Sequence, residues 1–188
     1  MLSQKPIKLL DYIEYPFLIP SISLDFNIRN EYVLVEASMI IKPKLKESSK
    51  LSLHGNRIEL LSISIDKREL NSEEYILSDK QLVINKPPLS EFQLIIKSKI
   101  DPYTNSTLEG LYLSSGMLTT QCEAEGFRSI CYHPDRPDVL SKYTVRIEAD
   151  KIKYPILLSN GNKKHSDNMK NNIDRHEIIW EDPFPKPS

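Results

Sequence analysis

The 188-residue chain has no surplus of charge of either sign and no long apolar run near its N-terminus. Its 25 basic and 26 acidic residues give a net charge of −1, so nothing steers the chain towards nucleic acid or an anionic membrane. The first residues, MLSQKPIKLLDYIEYPF, lack the apolar segment of a signal peptide or a membrane anchor. We therefore expect a cytoplasmic protein with no nucleic-acid partner and no membrane partner.

Cysteine is scarce, with Cys122 and Cys131 only. Without an export signal we expect two reduced thiols, although a disulfide between facing strands stays geometrically possible. A zinc site built on these two residues would need more ligands than four scattered histidines easily supply. A nucleophilic Cys122 would need a nearby base, and His133 is the only candidate. A complete small hydrolase built on these two residues is therefore the weakest hypothesis.

Glycine is also scarce, and no segment carries apolar residues at helical spacing. Alternation of apolar and polar residues with period two is the dominant pattern, and it is typical of half-buried strands. These strands follow one another at short spacing, which predicts an all-β fold, either an antiparallel β-sandwich or a pair of curved sheets. The predicted strands cover residues 22–28, 32–41, 58–66, 75–78, 81–84, 91–101, 142–150, 153–159 and 176–182.

The remaining segments are expected to be less regular. Residues 1–15 are predicted to be a weakly ordered leader, and residues 16–188 a single β-rich domain. The segment 101–140 is rich in turn residues, and Asp135 could act as N-cap of one short helical turn ahead of Pro137. The polar run 161–175 predicts a mobile hairpin loop.

One short stretch matches the beginning of a zinc-binding motif. The residues His176-Glu177-Ile178-Ile179 are the first four of HExxH, in which two histidines one helical turn apart bind zinc. The second histidine is missing, because position 180 is Trp180. The motif also requires a helix, whereas this segment has a strand pattern. We therefore predict that His176 and Glu177 do not form a zinc site.

A second stretch, Gln121-Cys122-Glu123-Ala124-Glu125, is unusually acidic for a strand. Carboxylates two residues apart would point from the same face of an extended chain. A solvated strand edge is one interpretation. The other is that one carboxylate faces a cleft and binds a cation such as an ammonium group.

Other polar residues have simpler interpretations. The cluster Asp135-Arg136-Pro137-Asp138 predicts a turn with an internal ion pair, and His54 and His165 are expected at the surface.

Several long motifs occur along the chain: NSTLEGLY (105–112), TQCEAEGFR (120–128), DRPDVL (135–140), IEADKIKYPILLSNGN (147–162) and WEDPFPKPS (180–188), together with LSLHGNRIELLSISID (51–66). Together they closely resemble the N-terminal domain of bacterial zinc aminopeptidases of the aminopeptidase N family. The resemblance covers most of the chain and implies a β-rich, saddle-like sandwich with long irregular connections. It also implies a partner, the catalytic domain of the same protein.

The resemblance assigns roles to two residues. It implies that Glu123 binds the α-amine at the N-terminus of a peptide substrate, together with a glutamate of a GxMEN motif in the next domain. It implies that Gln121 helps to shape the pocket for the first side chain of the substrate. No role is carried over for Glu125.

The catalytic motifs of the family do not occur in these 188 residues, since neither GxMEN nor HExxH is present. The resemblance therefore implies zinc in the full-length enzyme and none bound by this chain. We expect a domain truncated before the catalytic domain and inactive alone. The alternative is a freestanding β-sandwich module for binding or assembly, without catalysis.

Overall fold

The computed structural model describes residues 8–44, 49–169 and 172–188. Within these ranges it contains thirteen strands and two short 3-10 turns, Leu9–Asp11 and Phe127–Ser129. The strands are β1 (Phe17–Ile28), β2 (Val33–Pro43), β3 (Leu51–His54), β4 (Glu59–Ile65), β5 (Arg68–Glu69), β6 (Tyr75–Leu77), β7 (Gln81–Ile84), β8 (Phe92–Ile100), β9 (Gly110–Ser114), β10 (Met117–Gln121), β11 (Ser141–Asp150), β12 (Asn162–Asn168) and β13 (Arg175–Lys186).

The prediction of an all-β fold is confirmed. The main sheet has eight strands in the order β12-β13-β11-β1-β2-β8-β4-β5, and two smaller sheets are formed by β3-β7-β6 and by the β9–β10 hairpin. Every pairing in the main sheet is antiparallel except the parallel pairing of β1 with β11.

The alternation seen in the sequence sets which face of the main sheet enters the core. Leu24 of β1 pairs with Ala37 of β2, and both side chains are buried. The side chain of Asp25 points to the other face, because side chains alternate along a strand. Leu51 and Leu53 of the three-stranded sheet belong to the same hydrophobic cluster, so the two sheets share one core.

Two predicted segments are wrong. Residues 153–159 form no strand, and only Tyr154 and Leu157 among them are well buried. Their spacing of three does not fit a strand, and Pro155 has no N–H to donate to a neighbouring strand. The predicted loop 161–175 contains strand β12, which pairs with β13. Residues 170 and 171 of that run lie outside the described residues.

The predicted leader 1–15 falls partly outside the described residues, which begin at position 8. Leu9, Leu10 and Ile13 are exposed, whereas Tyr15 is buried and its hydroxyl donates a hydrogen bond to the carbonyl of Ser52 at 2.8 Å. The domain boundary after residue 15 stays a prediction. The described part of the chain contains no helix with the length and apolarity needed to cross a membrane.

Candidate functional site

A cleft of about 580 Å³ lies between the core face of the main sheet and the β9–β10 hairpin. Phe26 of β1 and Val145 of β11 line one side, and Leu118 of β10 lines the other. Residues of the loop after β11 and the last three residues of the chain complete the lining. The cleft is therefore enclosed mainly by apolar side chains.

Among the described residues, two side-chain carboxylates line this cleft, those of Glu123 and Asp182. Asp182 is buried and forms an ion pair with Lys186. Glu123 is exposed, and within the described residues its carboxylate has neither a hydrogen bond nor an ion pair with the protein. Glu123 is thus the acidic group of the cleft that is free to bind a cation.

The acidic stretch is a turn, so the prediction that Glu123 and Glu125 share one strand face is wrong. Strand β10 ends at Gln121, and residues 123–126 turn back so that the N–H of Gly126 donates to the carbonyl of Cys122 at 2.8 Å. A Cβ atom at Gly126 would lie 2.3 Å from the carbonyl oxygen of Gln121. The absence of a side chain at position 126 lets the turn close this tightly.

The two glutamates of the turn have different environments. Glu125 has a positive φ of 69° and forms an ion pair of 3.4 Å with Arg128. Glu123 has no such partner, but its backbone carbonyl accepts a hydrogen bond of 2.7 Å from the side-chain amide of Gln121. The structure therefore brings together Gln121 and Glu123, the two residues that the sequence motif singled out.

A contact between Arg128 and the more distant Asp135 helps to hold this turn in place. The carboxylate of Asp135 is buried and accepts hydrogen bonds from the backbone N–H of Arg128 at 3.1 Å and from its Nε at 3.0 Å. Asp135 is therefore not the N-cap of a helical turn, because its side chain is committed to Arg128. The ion pair predicted nearby is confirmed, since Arg136 donates two hydrogen bonds of 2.7 Å to Asp138 and thereby lowers the pKa of that carboxyl to about 2.

The sequence analysis did not identify Arg128 and Asp135 as a supporting pair. The spacing of three residues between Glu125 and Arg128 was a usable signal for the ion pair in a turn. No sequence signal connected Arg128 with Asp135, because their contact depends on the path of the chain between the two residues.

The environments of Cys122 and His133 do not support a Cys–His nucleophile. Burial raises the pKa of the Cys122 thiol to about 11, so it is protonated near neutral pH. His133 is fully buried, burial lowers its pKa to about 4, and neither ring nitrogen has a hydrogen-bond partner within the described residues. Both cysteines are free, as predicted. His54 is half-buried beside His133 rather than at the surface, whereas His165 is exposed.

His176 and Glu177 lie in strand β13, which confirms the strand prediction. The Nε2 atom of His176 is 2.8 Å from the carbonyl oxygen of Tyr154, and Glu177 accepts a hydrogen bond of 2.7 Å from Arg146. Across residues 8–44, 49–169 and 172–188, no three His, Cys, Asp or Glu side chains are close enough to hold a metal ion. The described residues therefore do not fit a zinc site.

Fold and site together define an all-β domain in which one side-chain carboxylate of the described residues lies unpaired at an apolar cleft. The chain belongs to the family described as Peptidase M1 N-terminal domain, whose sequence model matches residues 15–188.

Relatives of known name agree with this assignment. The chain is 46% identical over 182 residues to aminopeptidase N of Caulobacter vibrioides, covering 97% of this chain and 21% of that protein. It is 41% identical over 177 residues to aminopeptidase N of Escherichia coli, covering 94% and 20%. The chain thus spans about a fifth of the length of the curated relatives it matches.

Solved structures show the same fold. Aminopeptidase A of Legionella pneumophila, crystallised with aspartic acid, superimposes with a TM-score of 0.87 at 32% identity, over 97% of this chain and 21% of that chain. An M1 zinc metallopeptidase of Deinococcus radiodurans has a TM-score of 0.77 at 12% identity, over 93% of this chain and 41% of that chain, which supports the fold alone.

Proposed function

We propose that the chain is the substrate-gating and scaffold domain of a zinc-dependent aminopeptidase that releases N-terminal amino acids from peptides. In this proposal the carboxylate of Glu123 binds the α-ammonium group of the substrate. The observation that supports it is the unpaired carboxylate of Glu123 at the cleft, in a turn whose other glutamate is already paired. The family membership supports the same activity.

The chemistry of this carboxylate fits the recognition of a free N-terminus. A carboxylate and an ammonium group form charge-assisted hydrogen bonds, which strengthen as water is excluded from a cleft. Gln121 is held against the backbone of Glu123, and in this proposal its side chain contacts the first residue of a bound peptide. A peptide without a free α-amine would leave Glu123 unpaired and would bind less well.

The proposal assigns the remaining chemistry to residues beyond this chain. Zinc would polarise the scissile carbonyl in the whole enzyme, but the described residues do not fit a zinc site. We infer that the isolated chain is inactive. Met117, Ile156 and Leu158 line the cleft yet are 64%, 74% and 72% exposed. In this proposal these apolar side chains contact the catalytic domain.

We place the protein in the cytoplasm as part of the same proposal. The two free thiols support a reducing compartment, where disulfides rarely persist.

The decisive experiment replaces Glu123 by Gln in the whole aminopeptidase that carries this domain. Loss of the charge should lower kcat/KM for alanine p-nitroanilide by about 10- to 100-fold, the range expected for a hydrogen bond to a charged group. The preference for a substrate with an α-amine over its α-hydroxyl analogue should narrow by a similar factor.

Glu109→Gln is the matched control. Glu109 is an exposed glutamate next to β9, paired with Arg57 at 3.5 Å and absent from the lining of the cleft. The Glu109→Gln substitution removes one negative charge, as Glu123→Gln does, and it should leave kcat/KM unchanged. Equal activity of the Glu123→Gln and Glu109→Gln enzymes would exclude Glu123 from the substrate site.

A further inference from the structure

Arg128 contacts the turn through Glu125 and contacts two residues outside the turn, Asp135 and Asn56. Its guanidinium contacts three groups: the Asp135 carboxylate through Nε at 3.0 Å, the Asp135 carbonyl at 3.0 Å and the Glu125 carboxylate at 3.4 Å. Its backbone N–H also donates to the Asp135 carboxylate. Its backbone carbonyl accepts a hydrogen bond of 2.8 Å from the N–H of Asn56.

These contacts connect the exposed turn to a buried carboxylate and to the backbone beside an isolated β-bridge. Asp135 is buried, and its second carboxylate oxygen accepts a hydrogen bond of 2.9 Å from the hydroxyl of Ser188. Asn56 follows the backbone bridge between His54 and His133. Asp135 and Asn56 therefore hold Arg128 in the position from which it contacts Glu125.

The other end of the turn is fixed by the hairpin. Gln121 is the last residue of β10 and pairs with Gly110 of β9, and its amide holds the carbonyl of Glu123. The segment from Glu123 to Gly126 is thus held by the hairpin at one end and by Arg128 at the other. Within this segment only the side chain of Glu123 is both charged and uncommitted.

We propose that Arg128 is a positioning residue for Glu123. It orders the turn through Asp135, and it holds the Glu125 carboxylate so that one carboxylate, not two, is available to the substrate ammonium group. This inference rests on the proposed function of Glu123. Arg128 does not touch the substrate in this arrangement, and its effect on the reaction passes through the geometry of Glu123.

The test is a double-mutant cycle in the whole aminopeptidase. Arg128→Gln, Glu123→Gln and the double variant are compared by kcat/KM for alanine p-nitroanilide and by thermal melting. Arg128→Gln should lower kcat/KM by about 10- to 100-fold, as expected when a binding group is misplaced by about 1 Å. Adding Arg128→Gln to Glu123→Gln should cause no further loss, because residues that act as a unit are not additive.

A merely structural role of Arg128 would give a different pattern. It would lower kcat/KM by the same factor with or without Glu123, in parallel with a lower melting temperature. Arg57→Gln is the matched control, since Arg57 also pairs with an exposed glutamate, Glu109, at 3.5 Å. It should leave kcat/KM unchanged in both backgrounds.

A second variant covers the case in which Arg128→Gln does not fold. Glu125→Gln removes only the exposed contact of Arg128, so folding should be preserved. It should lower kcat/KM by about two- to five-fold when Glu123 is present, the size expected for an exposed ion pair, and not at all when Glu123 is replaced.

The outcomes separate the two proposals. Suppose that Glu123→Gln lowers kcat/KM, but that the Arg128 and Glu125 substitutions either leave kcat/KM unchanged or lower it by the same factor with and without Glu123. That result overturns the role of Arg128 and leaves the proposed function standing. No loss on Glu123→Gln alone overturns the proposed function, and the role of Arg128 falls with it.

Discussion

At the scale of single residues, two glutamates of one turn have different roles. Glu123 and Glu125 are two positions apart in one turn, yet Glu125 is paired with Arg128 whereas Glu123 is unpaired. The difference comes from the direction of the turn, since Arg128 lies three residues after Glu125. A motif with two acidic residues therefore supplies one structural and one available carboxylate.

His133 shows how burial makes stability depend on pH. Burial lowers its pKa from 6.5 to about 4, so the unfolded chain takes up a proton at a higher pH than the folded chain. The free energy of unfolding should therefore be highest above about pH 6.5. It should fall, by on the order of 3 kcal/mol, as the pH drops from 6.5 to 4. Urea denaturation at a series of pH values measures this loss.

His133→Leu should flatten that dependence, because it removes the group that takes up the proton on unfolding. His165→Gln is the control, since His165 is exposed, and its pH dependence should match that of the unchanged protein. A slope that is identical with and without His133 would assign the acid sensitivity to other groups.

At the scale of elements, the sequence predicted strands well where one face is buried. β1, β2 and β8 alternate buried and less buried side chains, and the pattern is visible in the letters alone. β12 was missed because all seven of its side chains are exposed, which leaves no alternation to detect. The β9–β10 hairpin was missed for a similar reason, since most of its side chains are exposed or only partly buried.

The candidate site was predictable in part. The stretch around Glu123 stood out because it is unusually acidic for a strand, and the family resemblance singled out Glu123 and Gln121 within it. Its geometry was not predictable, because the reversal after Gln121 depends on a close approach between the backbones of Gln121 and Gly126. The contact of Asp135 with Arg128 is a tertiary contact, and local sequence patterns do not predict such contacts.

Gly126→Ala should disrupt this element directly. The backbone at Gly126 has φ of −87°, so alanine is compatible with the dihedral angle. Its Cβ, however, would lie 2.3 Å from the carbonyl oxygen of Gln121 and 3.0 Å from the Cα of Cys122. We expect the free energy of unfolding to fall by about 3 kcal/mol, as for overpacked sites.

Gly116→Ala is a useful comparison for that measurement. Gly116 has open space around a Cβ but a φ of +83°, so alanine there should cost about 1 kcal/mol through the left-handed backbone alone. Chemical denaturation of both variants would separate crowding from backbone strain. Equal losses at the two positions would contradict the close approach at Gly126.

At the scale of the whole molecule, the chain has a core and a cleft but lacks the catalytic motifs. We expect no hydrolysis of a leucine or alanine amide reporter by the isolated 188-residue chain, with or without added zinc, and no stoichiometric zinc by metal analysis of the same sample. Turnover that depends on zinc and co-purifies with the chain would mean that these residues contain a complete site, contrary to the proposal.

The parallel pairing of β1 with β11 has a consequence for how the domain is made on the ribosome. β1 and β2 emerge early and can pair at once, and β8 can join them when Ile100 has emerged. The other edge of β1 waits for β11, which begins at Ser141. Throughout that interval a nascent chain carries a long strand with an open edge, the kind of surface on which other chains pair. A translational pause before β11 has left the ribosome prolongs that exposure, whereas a pause after β11 has emerged and paired does not.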